Sequence, residues 1–219
     1  MPLAEQRDST APGAPEPIPQ IAGAPVAASA LNVPNVITLS RLVLALLLFW
    51  MIDRGGHWMA ALFVFAVAAA TDFIDGYIAR RYGLVTKIGR IFDPFVDKVI
   101  IGGAFMFLAV KQHSGVNAWM AIAVVGREMF VTSLRSVLES EGKDFSATMS
   151  GKIKMAVQCV AVAASLLFLD YAHGLSAHGQ GEPSHSLIFA RDAVLWSAVA
   201  ITLYSGYDYV IRAMRLFRA

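Results

Sequence analysis

The sequence predicts an all-α, polytopic membrane protein with six transmembrane helices and both termini in the cytoplasm. Three observations lead there: the composition, the run of apolar segments, and the placement of lysine and arginine. Of the 219 residues, 57% are hydrophobic and 16% charged, against roughly 25% charged in an average soluble domain. Six apolar segments follow one another at about 36–53, 58–80, 93–111, 117–139, 150–170 and 187–211. Most approach the roughly 20 residues that a helix needs to cross a bilayer. None alternates with the period of two that a barrel strand requires, so helices remain as the spanning structure.

Each part of the chain has its own signal. Residues 1–30 hold six of the nine prolines and few large apolar side chains, which predicts a disordered Pro/Ala-rich tail. The remaining 31–219 form one membrane domain. Pro34 suits the first turn of the first helix, and Pro94 the first turn of the third, with Gly89 in the turn ahead of it. The 80–92 connection carries Arg80, Arg81, Lys87 and Arg90, the 140–152 connection Lys143 and Lys152, and the C-terminal end Arg212, Arg215 and Arg218. The opposite connections are poor in basic residues, so the basic ones face the cytoplasm. His57, His113, His173, His178 and His185 then fall on the other side. The last three lie in a Gly- and Ser-rich stretch without the spacing of metal ligands, and a solvated loop is the reading. The single cysteine, Cys159, excludes an intrachain disulfide, and the net charge of +2 points to no nucleic-acid partner.

The chemistry is concentrated between Thr71 and Lys98. Asp72 and Asp75 are three residues apart, and Asp93 and Asp97 four apart, so each pair shares a helix face. A short basic turn joins the two helices, which lets four carboxylates converge. Asp72 lies eight residues before Arg80, about 12 Å along a helix, and therefore inside the membrane profile. Ionised carboxylates there are tolerable if they line a wet pocket and bind cations. Their hard oxygens suit Mg²⁺, Mn²⁺ or Ca²⁺, and a pair of metals can clamp both oxygens of a phosphoryl displacement. Gly76 allows a ligand close to the backbone, and Arg80 can reach a phosphate with a planar fork of donors.

The run Asp72-Phe-Ile-Asp75-Gly76-Tyr-Ile-Ala79-Arg80, followed by Gly89, Asp93 and Asp97, resembles the signature of the CDP-alcohol phosphotransferase family, with every signature position filled. The resemblance implies a bacterial inner-membrane enzyme with its active site on the cytoplasmic side. It implies two divalent ions, Mg²⁺ or Mn²⁺, held by Asp72, Asp75, Asp93 and Asp97, with Asp97 also the catalytic base. It implies a CDP-lipid site formed by Asn35, Thr38, Arg41, Gly76, Arg80 and Thr86. A helix start accounts for Asn35 and Thr38 nearly as well. Arg41 stands inside an apolar helix at the same level. A homodimer is the family expectation.

A second set bears on the acceptor. Gly126-Arg127-Glu128-Met129, Leu134-Arg135, Glu141-Gly142-Lys143 and Gly151-Lys152-Ile153-Lys154 resemble the members that use glycerol 3-phosphate. Arg127, Arg135 and Lys152 would bind the acceptor's phosphate, since a cationic pocket suits an anionic substrate. Ordinary cytoplasmic charge accounts for Lys143 and Lys154. The implied reaction moves a phosphatidyl group from CDP-diacylglycerol to glycerol 3-phosphate, giving phosphatidylglycerophosphate and CMP. Inositol phosphate and phosphatidylglycerol are the alternative acceptors. A cation transporter is the reading from another class, but the aspartates stop at one membrane level and no inverted repeat is visible.

Overall fold

A computed structural model describes residues 33–82, 87–142, 149–179 and 181–218, with side-chain surroundings for 36–71, 95–142, 149–179 and 181–216. The expected tail over 1–30 and Lys143 lie outside these residues. The described residues form six helices and no strand: α1 (Val33–Arg54), α2 (Trp58–Tyr82), α3 (Lys87–Ala109), α4 (Ala118–Ser140), α5 (Met149–Ala177) and α6 (His185–Arg218). Among the described residues, Val36–Arg54, Met149–Ala177 and His185–Leu216 are long and apolar enough to cross a membrane, and Trp58–Thr71 is a shorter apolar stretch.

One expected boundary is corrected. α3 opens at Lys87, so Gly89 and Pro94 lie within the helix rather than at its entry. A proline lacks the N–H that would bond four residues back. Its ring therefore costs α3 a ladder bond in its second or third turn, and Asp93 and Asp97 sit well inside the helix.

α1 is apolar on nearly all sides, and burial alone separates its inner from its outer face. In α1, Ala45, Leu48 and Ile52 are buried while Leu39, Val43, Leu46 and Trp50 are exposed. Phe63, Trp119 and Phe189 are each at least 70% exposed, an arrangement expected of a surface that meets lipid. α1 packs on α2 and α3, α3 on α4 and α5, and α5 and α4 on α6, with α2 also against α5. At the α1–α3 contact, Phe49 stacks on Phe107 with centroids 5.1 Å apart. Gly103 makes this approach possible, because a Cβ there would run into the Phe49 ring. Polar side chains cross-link the interior: Gln158 Nε2 donates to Thr202 Oγ1 at 2.8 Å, and Ser165 Oγ to the Ser114 carbonyl at 2.7 Å. The first joins two helices, a kind of bond that contributes about 0.6 kcal/mol in membrane proteins, and the second ties α5 to the α3–α4 connection.

The α1–α2, α3–α4 and α5–α6 connections gather at one end of the bundle. Lys111 donates to the Asp53 carbonyl, and Arg191 Nη1 donates to the His113 carbonyl at 2.7 Å. Asn117 caps α4 there by accepting from the Met120 N–H at 2.9 Å, a standard N-cap bond. The opposite end carries the groups described next.

Candidate active site

The α1–α3 packing brings Arg41 to Asp97, 56 residues apart in sequence, as a direct ion pair. Arg41 is 2% exposed and Asp97 26%. Thr38, one turn before Arg41, is buried on the same helix. The Asp97 carboxylate thus sits where positive charge is stabilised. Its hard oxygens suit a divalent cation as they suit a guanidinium.

Asp72, Asp75, Gly76 and Arg80 are positions of α2, and Asp93 a position of α3. Their side chains lie outside the described residues, as does that of Asn35 in the first turn of α1, and Thr86 lies outside altogether. No cluster of three or more His, Cys, Asp or Glu suited to a metal occurs among the described residues.

Deeper in the same half, α4, α5 and α6 enclose a second polar group. Arg127 Nη2 donates to Ser205 Oγ at 2.7 Å, and Nη1 to Glu128 Oε1 at 3.2 Å. Lys154 of α5 makes a close ion pair with the same Glu128 oxygen. The guanidinium of Arg127 lies 5.3 Å, and that of Arg135 5.8 Å, from the centroid of the Tyr209 ring. Arg135 Nη2 also donates to the Tyr209 hydroxyl at 3.1 Å. Arg127 and Arg135 therefore meet on one side of α4, bridged by a tyrosine that is 2% exposed. Gly206 gives Arg127 room, since a Cβ there would stand 3.1 Å from its Cγ. Lys98 of α3 lies within electrostatic reach of Glu128 and Arg135. The Nε atoms of Arg127 and Arg135 are buried without a hydrogen-bond partner among the described residues, a costly state that an anion would relieve.

The structure brings Arg127 and Arg135 together but not Lys152, which is exposed. The lysine in the group is Lys154, 8% exposed, where the sequence reading took ordinary cytoplasmic charge. Two residues along a helix turn the chain by about 200°, so Lys152 and Lys154 face opposite ways. A signal was present: Gln158, Ala161, Val162, Ser165 and Leu169 are the buried face of α5, and Lys154 continues it one turn earlier. Glu128 stood in the quoted acceptor motif, whereas Ser205 and Tyr209 carried no comparable sign.

At the other end, a cavity of about 260 Å³ is bordered by Trp58, His113, His173 and Glu182. His173, His178 and His185 are exposed as expected, but His173 lies within α5 and His185 opens α6, so the solvated loop between them is shorter than the sequence suggests.

The CDP-alcohol phosphatidyltransferase family model matches residues 31–204. A Bacillus subtilis (strain 168) protein named CDP-diacylglycerol–glycerol-3-phosphate 3-phosphatidyltransferase is 36% identical over 192 residues, covering 81% of this chain and 93% of the relative. A Mycobacterium tuberculosis (strain ATCC 25618 / H37Rv) protein named probable phosphatidylglycerophosphate synthase is 35% identical, covering 84% and 82%. A Rickettsia typhi (strain ATCC VR-144 / Wilmington) protein with the same name as the Bacillus relative is 32% identical, covering 81% and 94%. With the family model spanning most of its length and its aspartate positions carried on α2 and α3, the chain belongs to the CDP-alcohol phosphatidyltransferase family.

Proposed function

We propose that this chain is an integral membrane enzyme that transfers a phosphatidyl group from CDP-diacylglycerol to glycerol 3-phosphate, forming phosphatidylglycerophosphate and releasing CMP. The observation that carries the acceptor is the buried cationic group of Arg127, Arg135 and Lys154, with one carboxylate, Glu128, among them. A phosphomonoester dianion supplies the charge and the acceptors that such a group lacks. The names of the relatives agree with it.

In this reading six helices cross a bacterial inner membrane with both termini and the active site on the cytoplasmic side, and residues 1–30 are a tail outside the catalytic domain of 31–219. The donor's acyl chains stay in the bilayer. Asn35, Thr38, Arg41, Gly76, Arg80 and Thr86 bind its nucleotide part. Asp72, Asp75, Asp93 and Asp97 would hold two divalent ions, Mg²⁺ or Mn²⁺, which would supply positive charge to the phosphate oxygens. Asp97 takes the proton from the acceptor's primary hydroxyl. That oxygen bonds to the phosphorus next to diacylglycerol, the bond from phosphorus to the CMP oxygen breaks, and Arg80 stabilises the departing charge. Arg41, paired with Asp97, holds the carboxylate in position.

The test is CMP release by purified protein from labelled CDP-diacylglycerol with glycerol 3-phosphate, an inositol phosphate or phosphatidylglycerol as acceptor. Glycerol 3-phosphate should be used best. Preference for either of the others would overturn the acceptor assignment and leave the family unaffected.

A further inference from the structure

Among the described residues, Glu128 is a carboxylate set among the cations Arg127, Lys154, Lys98 and Arg135. Oε1 takes both of its bonds, from Lys154 Nζ and Arg127 Nη1. Those bonds fix the carboxylate on α4, and among the described residues Oε2 is left to accept from another donor. The side chain is 13% exposed and in direct contact with Arg127 and Lys154. An incoming phosphate is drawn to Arg127, Arg135 and Lys154 and repelled by Glu128. A hydroxyl is not repelled, and a fixed carboxylate oxygen is a strong acceptor for it. The pocket therefore has two poles, one for phosphate and one for a neutral donor.

We propose that Glu128 is a specificity-determining residue. Anchored by Arg127 and Lys154, it accepts a hydrogen bond from the acceptor hydroxyl that is not attacked, and its charge keeps simple anions from filling the pocket. The inference rests on the acceptor reading above. Inorganic phosphate is drawn in by its charge, an attraction that Glu128 partly cancels. A polyol phosphate recovers that loss through its second hydroxyl, and glycerol 3-phosphate has this hydroxyl beside the carbon that bears the phosphate. Glu128 acts on the acceptor alone, so donor use is independent of it.

The experiment compares wild type, Glu128→Gln, Glu128→Ala and Glu128→Asp in the full-length protein, with two probes. Inorganic phosphate is used as an inhibitor competing with glycerol 3-phosphate, and 3-hydroxypropyl phosphate, which lacks the second hydroxyl, as an alternative acceptor. Glu128→Gln should be inhibited by at least tenfold less inorganic phosphate than wild type, with the KM for CDP-diacylglycerol unchanged. Wild type should use the deoxy acceptor at least tenfold less well than glycerol 3-phosphate in kcat/KM, and Glu128→Ala should bring the two within about threefold. Glu128→Asp, which keeps the charge, should retain the wild-type resistance to phosphate. Unchanged phosphate inhibition in Glu128→Gln, or an equal penalty for the deoxy acceptor in wild type and Glu128→Ala, overturns the inference. If Glu128→Gln does not fold, Glu128→Gln/Lys154→Met removes one charge of each sign, and there the deoxy penalty must still shrink. Arg127→Ala and Arg135→Ala separate the two failures. If both leave the acceptor KM unchanged, the acceptor pocket itself is refuted. If they raise it while Glu128→Gln has no effect on phosphate inhibition, only the role of Glu128 falls.

Discussion

Replacing Lys154 with methionine tests the cationic group most directly, because Lys152 provides a control two residues away. Lys154 is 8% exposed and paired with Glu128, whereas Lys152 is exposed. A hydrogen bond from a charged donor is worth about 1.5–3 kcal/mol. At 1.4 kcal/mol per decade, losing it should raise the acceptor KM about 10- to 150-fold. Methionine keeps the length of the stem, so packing on α6 is largely preserved. Removing one partner of a buried pair costs about 3–5 kcal/mol when the other is stranded, but Glu128 keeps Arg127 at 3.2 Å, so the loss of stability should fall below that range. The assay is KM for each substrate in detergent at fixed metal, with thermal unfolding of the same samples. Lys154→Met should raise the acceptor KM and leave the donor KM within about threefold, while Lys152→Met leaves both near wild type. A larger acceptor effect from Lys152→Met, or a parallel rise of both KM values in Lys154→Met, would refute the reasoning.

Asp97→Asn keeps size but loses the basic oxygen, and turnover should drop by about 10²- to 10⁴-fold with the detergent elution profile intact; activity within a few-fold of wild type would make Asp97 only the structural partner of Arg41. Chelation with EDTA should abolish CMP release and added Mg²⁺ or Mn²⁺ restore it, and full turnover in excess chelator is the contrary result. Gly103→Val places a branched side chain where Phe49 packs and should cost about 1–3 kcal/mol by overpacking, read as a lower Tm; an unchanged Tm would mean that α1 and α3 are not in close contact.

The pattern of helices was legible in the sequence because long apolar runs and the basic connections between them report on hydropathy, a local property. The aspartate positions were legible for the same kind of reason, since spacings of three and four define helix faces without any neighbour. α3 was misjudged at its start because proline and glycine usually punctuate helices, yet here both are carried inside one that opens at Lys87. The partners within the site were less legible. Arg41 and Asp97 were each singled out, but nothing local joined residues 56 positions apart. That α5 turns Lys154 inward and Lys152 outward, and that Tyr209 of α6 bridges two arginines of α4, depends on which helices are neighbours. In a soluble protein the polar face of a helix reveals its orientation. In α1 above all, the lipid-facing and the core-facing sides are both apolar, so the sequence by itself determined that there are helices and which charges they carry. Only tertiary packing decided which way each charge points and what it meets.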